Sequence, residues 1–284
     1  MKDFVYHISH HTSGRIGMFL LGTIIFFIAF PFLTGTRFPD QIDLRALLQS
    51  PTWSHPLGTD LFGRDILARL LYGGRRTLLI GISVLSIAFV SGVIIGTVAG
   101  FKGGWVDSVA MRVIDAILSF PALVLAIALS AAMGAGLFSA TLAISVTMTP
   151  QFARLARNQA QRLSTTLYVD AARVLGVPDH IIMFKHIMRN GLVPLLTLAP
   201  LSVGTAILQV ASLGFLGLGA QPPAAEWGAD IAMNFDYVRV APWTVFSMGG
   251  AIVLTVLAFN LLADATSSYF TPEQRISREV NKLW

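Results

Sequence analysis

The chain has 284 residues, is 54% hydrophobic and only 12% charged, and carries a net charge of +5. A soluble domain carries roughly 25% charged residues, so a water-facing globular domain is excluded and an all-α, polytopic membrane protein is expected. Cysteine is absent, which removes disulfides and Cys-based metal or thiol chemistry, and no basic stripe with interleaved aromatics points to nucleic acid.

Residues 1–15 read as a basic tail with Lys2 and Arg15. His7, His10 and His11 have helical spacing that a metal could use, but a plain tail is the favoured reading and no metal site is expected. The first span is Ile16–Leu33. It ends in Phe30-Pro31-Phe32-Leu33 without a small-residue cleavage site, so it reads as a retained span rather than a signal peptide.

Residues 34–77 form a long polar segment. Within "GTDLFGRD" the spacing of Asp60, Arg64 and Asp65 predicts a short helix capped by Asp60, with Asp60 and Arg64 paired at i,i+4. Five further spans of about 20 residues follow: Leu78–Gly100, Val113–Met133, Leu137–Phe152, Leu192–Gly214 and Trp243–Ala263. The six spans give a permease core over 78–265 and a final tail over 266–284.

Gly92, Gly96 and Gly100 recur every four residues, which suits close helix packing. Pro121, Pro150, Pro194 and Pro200 should kink or unwind their spans. Asp107, Arg112 and Asp115 cluster at one mouth of the third span, where mutual pairing is the expected role, and Asp264 is expected to pair likewise. Gln151 and Gln209 are polar groups in or near spans, candidates either for a translocation path or for helix ties.

Between the fourth and fifth spans, roughly 153–190, lies "YVDAARVLGVPDHIIMFKHIMRNG" (168–191). Tyr168, Ala171, Ala172 and Leu175 recur at i, i+3, i+4, i+7, an apolar stripe on a short helix. Gly176 can end that helix and Pro178 blocks its continuation. Asp179 then offers an N-cap for a second short helix through Ile181, Phe184 and Met188. Pattern alone leaves two readings level: a hairpin lying on lipid headgroups, or a knob that docks a soluble partner.

Loop charge sets the orientation. The 152–190 segment carries Arg154, Arg157, Arg162, Arg173, Lys185 and Arg189, and residues 220–241 carry Glu226, Asp230 and Asp236 against Arg239. The positive-inside rule puts the first segment and both termini in the cytoplasm and the second outside. The arginines of 34–77 dissent from this rule, although long segments obey it weakly.

Asp170-Ala171-Ala172, Gly176 and His186-Ile187 resemble the cytoplasmic loop of bacterial ABC-importer permeases, Glu-Ala-Ala, three residues, Gly, and a second block after nine more. Asp170 departs from the usual Glu, and Arg189 from the usual Pro. "HPLGTDLFGRDILARLLYGGRRTLLIG" (55–81), "ASLGFLGLGAQPPAAEWG" (211–228) and "NLLADA" (260–265) are similar to signatures of the dipeptide/oligopeptide/nickel branch, in the right order over roughly 55–271.

The resemblance implies a type I ABC-importer permease fold in the bacterial inner membrane. It implies a heterodimer of this shorter, C-type permease with a B-type partner, two ATPase subunits and an extracytoplasmic solute-binding protein. The coupling loop (Tyr168, Asp170, Ala171, Ala172, Leu175, Gly176 and His186) would dock in the ATPases. Asp60, Arg64, Glu226 and Trp227 either shape the outer loops or meet the binding protein. No catalytic residue and no cofactor of this chain is implied, ATP and Mg²⁺ being held on the ATPases. The chain has no GxxxxGK[ST] loop. Peptides, nickel and metal chelates are all plausible cargo for the branch.

The alternative is an ion-gradient-driven secondary transporter, but residues 116–153 and 191–225 hold no charge to serve as a coupling site. An intramembrane enzyme would need a nucleophile–base pair or metal ligands inside the spans, and every His lies outside them.

Overall fold

A computed structural model describes residues 11–29, 31 and 38–270. His7, His10 and most of the last tail therefore lie outside the described residues. Regular structure among the described residues is helical, apart from one isolated bridge between Thr59 and Asp65. In chain order the helices are α1 (Thr12–Ala29), α2 (Ile66–Lys102), α3 (Gly104–Leu118), α4 (Ala122–Met133) and α5 (Leu137–Ser164). There follow α6 (Leu167–Val174), a three-residue α7 (Asp179–Ile181) leading into a π-helical stretch (Ile182–Met188), α8 (Arg189–Phe215), α9 (Trp227–Asn234) and α10 (Pro242–Phe270).

Four described helical runs are long and apolar enough to cross a membrane: α1, α2, Asp179–Phe215 and Pro242–Tyr269. They become five if the bent pair α3/α4 is one span. The expected fourth span, Leu137–Phe152, lies in the first part of α5, whose second part carries Arg154, Arg157 and Arg162.

The broadest contact is between α2 and α5, and the glycine repeat makes it. A Cβ on Gly96 would collide with the Ala153 carbonyl oxygen, and one on Gly92 or Gly100 would also press into α5, at 2.6 Å from Phe152 and 2.5 Å from the Arg157 carbonyl. Successive contacts climb both helices together, so α2 and α5 run parallel. The segment between them must carry the chain back. α3 begins beside Arg157, through Asp107, and α4 ends beside Leu218, whose carbonyl accepts from Gly136 N–H at 3.1 Å.

That return limb is broken by 93° at Ser119-Phe120-Pro121. Pro121 is thus the one proline of the four that interrupts a helix. Pro150, Pro194 and Pro200 sit inside continuous helices, so none of these three unwinds its span. A proline costs a helix only one hydrogen bond and a local clash, and packed neighbours can absorb both.

Two further expectations are corrected. No helix forms over 60–65. The chain there is a tight turn, and Asp65 caps α2 by accepting from Ala68 N–H at 2.7 Å. The second arm of the hairpin is not a separate short helix. Its cap position is Pro178, without a side-chain bond, and from Asp179 the helical run continues through the π turn to Phe215.

The buried core has two main parts. Val84, Ala88, Ala126, Ile144, Ala206 and Val210 fill the space among α2, α4, α5 and α8. Ile66, Ile207, Trp227 and Met248 fill that among α2, α8, α9 and α10. A satellite cluster of Ala160, Val169, Ala172, Ile182 and Ile187 sits under the hairpin.

Candidate docking site

Helix α6 is held at one end of the molecule by a small buried face. Val169 and Ala172 are buried against Ala160, Ile182 and Ile187, with Phe101 and Leu163 around them. The Arg173 guanidinium lies 5.9 Å from the Phe101 ring centre, a cation–π contact. Each contact ties α6 to the ends of α2, α5 and the π turn.

The helix stops as its residues dictate. Gly176 adopts φ +76°, its N–H donates to the Arg173 carbonyl and Val177 N–H to the Ala172 carbonyl, both at 3.0 Å. This is the paired-bond ending that a left-handed residue permits. A Cβ on Gly176 would meet nothing within 4 Å, so the requirement for glycine is conformational and not steric.

The opposite face of α6 is bare. Leu167 is 87% exposed, Val174 88% and Leu175 82%, and Tyr168 and Ala171 are also exposed. The expected stripe is therefore split. Ala172 packs inward with Val169, while Tyr168, Ala171 and Leu175 face out, joined by Leu167 and Val174, which the sequence reading missed. Their exposure follows from position: on a helix of eight residues, only the Val169/Ala172 side reaches the protein. Asp170 is exposed and pairs with Arg173 at 3.4 Å, a contact that contributes little in water. His186 lies half-buried in the π turn.

The acids at the mouth of the third span do pair, but not with Arg112. Arg157 reaches both Asp107 oxygens at 2.5 Å and Arg154 donates to Asp115 at 2.6 Å, so α3 is tied to α5. Arg112 is exposed and takes part in neither pair. Asp264 is exposed and makes no ion pair among the described residues.

At the far end of the molecule, the residues proposed to shape the outer loops are all buried. Asp60 accepts from the backbone N–H groups of Phe62 and Arg64 and pairs with the Arg64 side chain at 2.6 Å. Glu226 caps α9 through Ala229 N–H at 2.9 Å and accepts from the Thr77 hydroxyl at 3.0 Å. Trp227 Nε1 donates to the Leu70 carbonyl at 2.8 Å. With side chains enclosed this way, Asp60, Arg64, Glu226 and Trp227 build the loop and present no surface to a partner.

The same region holds two pairs that sequence reasoning missed. Arg69 binds Asp230 at 2.5 Å and His55 binds Asp65 at 2.8 Å, all four side chains being buried. Burial pushes Asp230 up to about 6 against the pull of Arg69, and burial likewise raises Glu226 against its hydrogen bonds from Ala229, Gly228 and Thr77. Two of the dissenting arginines are neutralised inside the fold, Arg64 by Asp60 and Arg69 by Asp230, and Arg76 donates to the Ala225 carbonyl.

Gln151 Nε2 donates to Ser202 Oγ at 3.3 Å, a tie between α5 and α8. Gln209 Oε1 is buried without a hydrogen-bond partner among the described residues. No group of three or more His, Asp or Glu with metal-binding geometry occurs among the described residues.

Residues 92–276 match the family described as the binding-protein-dependent transport system inner membrane component. The chain is 42% identical to the probable D,D-dipeptide transport system permease protein DdpC of Escherichia coli over 92% of its length and 87% of the relative. It is 38% identical to the dipeptide transport system permease protein DppC of Alkalihalophilus pseudofirmus, over 92% and 86%. It is 36% identical to the glutathione transport system permease protein GsiD of Pectobacterium atrosepticum, over 93% and 87%.

Proposed function

The chain belongs to the family of binding-protein-dependent transport system inner membrane components, and from that membership we propose that it is one permease subunit of an ATP-driven importer of dipeptides or similar small peptides. The relatives named above carry dipeptide and glutathione names, which favours peptides over nickel or metal chelates as cargo. The subunit would pair with a second permease, receive cargo from a solute-binding protein, and leave ATP hydrolysis to two ATPase subunits.

In this reading the membrane is crossed six times, by α1, α2, the bent α3/α4 pair, the first part of α5, α8 and α10. Both termini and the α6 knob face the cytoplasm. The parallel course of α2 and α5 supports counting the bent pair as a crossing, because otherwise both could not run the same way through the bilayer.

The observation that carries the coupling role is the bare apolar face of α6: Leu167, Tyr168, Val174 and Leu175 exposed around a buried foot of Val169 and Ala172. Such a face beside arginines on a membrane protein calls for a partner. Past the turn that ends α6, the π turn and α8 form one unbroken helical run from Asp179 to Phe215, and Val169 and Ala172 of α6 pack on Ile182 and Ile187 of that run, so a push on α6 reaches a membrane span through packed side chains. ATP-driven closure of the ATPases would then shift the spans between inward- and outward-open arrangements.

Leu175→Arg and Ala171→Arg test this directly, because both side chains are exposed and neither supports the fold. Peptide uptake and co-purification of the ATPases should both be lost at an unchanged level of membrane-inserted protein. Normal uptake by both variants would sink the assignment.

A further inference from the structure

We propose that the groove among α1, α2 and α10 binds one acyl chain of a bilayer phospholipid. The proposal depends on the chain's crossing the membrane and not on its cargo or its ATPase coupling.

The groove has a volume of about 540 Å³ and is lined by Thr23, Phe27, Leu70, Trp227, Gly250 and Leu254 among others. Its origin is local. Near Arg15 and Asp264 the two outer helices touch, Gly17 lying against Ala258 and Leu261. Farther along they part, because α10 offers Gly249, Gly250 and Ala251 there, and a Cβ on either glycine would meet nothing within 4 Å. Trp227 forms the floor.

Of the lining side chains only Ser247 keeps a hydroxyl without a hydrogen bond among the described residues, too few partners to hold a water. Thr23 donates its hydroxyl to the Phe19 carbonyl at 2.8 Å and Thr255 to the Ala251 carbonyl at 2.7 Å. Trp227 N–H is taken by the Leu70 carbonyl. A water needs two to four polar partners, and an apolar cavity without them stays dry.

The groove also continues an exposed apolar surface. It is flanked by exposed Phe26 on α1 and by Phe246 and Val253 on α10, two helices apolar enough to span the bilayer. The slot is therefore open to hydrocarbon along its length.

Size selects the occupant. An apolar cavity of ~150 Å³ holds one benzene, so by the same packing this one holds on the order of twenty carbons, the size of a single acyl chain. A helix of another protein is ~10 Å across, and this volume would take only about five of its residues. The chain fits and the helix does not.

The test uses the full chain reconstituted in phosphatidylethanolamine/phosphatidylglycerol vesicles with a trace of phospholipid bearing a diazirine on its acyl chain. After photolysis, label should concentrate on peptides containing Phe27 and Leu254, above that on the exposed Leu79 and Ile82. Gly250→Phe, which fills the groove from open space, should lower groove label several-fold and leave Leu79 and Ile82 unchanged. Gly250→Leu serves if the larger residue impairs insertion. Groove label no stronger than at Leu79, or unaffected by either variant, overturns the proposal. So does capture of another polypeptide by a benzophenone side chain at Leu254 in the assembled transporter.

Discussion

Arg69 and Asp230, 161 positions apart, meet at 2.5 Å with both side chains essentially sealed from solvent. The pair joins the first turns of α2 to α9, and Arg69 also donates to the Pro39 and Pro223 carbonyls at 3.0 and 3.3 Å. One guanidinium thus gathers three segments at that end of the molecule. Arg69 also reaches Asp40 at 3.3 Å, but that carboxylate is half exposed, so removing one member of the Arg69–Asp230 pair leaves a buried charge without its close partner.

Asp230→Asn or Arg69→Met should therefore cost about 3–5 kcal/mol, while a double Arg69→Met/Asp230→Leu replacement should recover most of that loss. Thermal unfolding of the detergent-solubilised protein measures both. Equal losses in the single and double variants would show that the carbonyl contacts of Arg69, rather than its charge partner, hold the region.

The α2–α5 seam makes a steric demand at Gly96. A methyl group there would collide with the Ala153 backbone, which cannot swing away as a side chain can. Gly96→Ala should cost ~1–3 kcal/mol or more through overpacking, seen as lower folded yield. Gly249→Ala, in open space on α10, should be neutral or stabilising by up to ~1 kcal/mol.

At Gly176 the demand is different, because the positive φ and not a neighbour excludes side chains. The left-handed conformation costs an ordinary residue ~1–2 kcal/mol, and Asn tolerates it best. Peptide uptake should fall in the order Gly, Asn, Ala, Val at constant membrane level. A variant series ranked by side-chain volume instead would point to a contact with the partner.

The start of α2 offers a separate check. Asp65→Ala removes the cap bond to Ala68 and the partner of His55, so a loss of about 1 kcal/mol or more is expected. Asp60→Ala should also destabilise, through the freed Arg64 charge and the lost turn bonds. Circular dichroism should show Asp65→Ala shortening the helix and Asp60→Ala leaving helix content alone.

Local pattern determined a good deal here. Uninterrupted apolar runs placed α1, α2, α8 and α10, since in a bilayer only a helix satisfies every backbone group. Gly176-Val177-Pro178 foretold the end of α6, because a left-handed glycine followed by a proline admits little else. The every-fourth glycines announced a close seam. Each of these is a property of residues within one or two turns of one another.

What only the tertiary structure decided involves partners far apart in the chain. Tyr168, Ala171, Ala172 and Leu175 share a stripe, yet Ala172 alone of them is buried, because Phe101 and Ile187 approach α6 from one side. Asp60 and Asp65 are equally good caps by type, and the turn through Gly63 decides for Asp65. Pro121 breaks its helix while Pro150, Pro194 and Pro200 do not, since packing against neighbouring helices, not the ring itself, determines whether a lost hydrogen bond is tolerated. Arg69 could be read as a loop charge until Asp230 arrived from the other half of the chain. Periodicity reports which way a side chain points; only the assembled helices determine what it meets there.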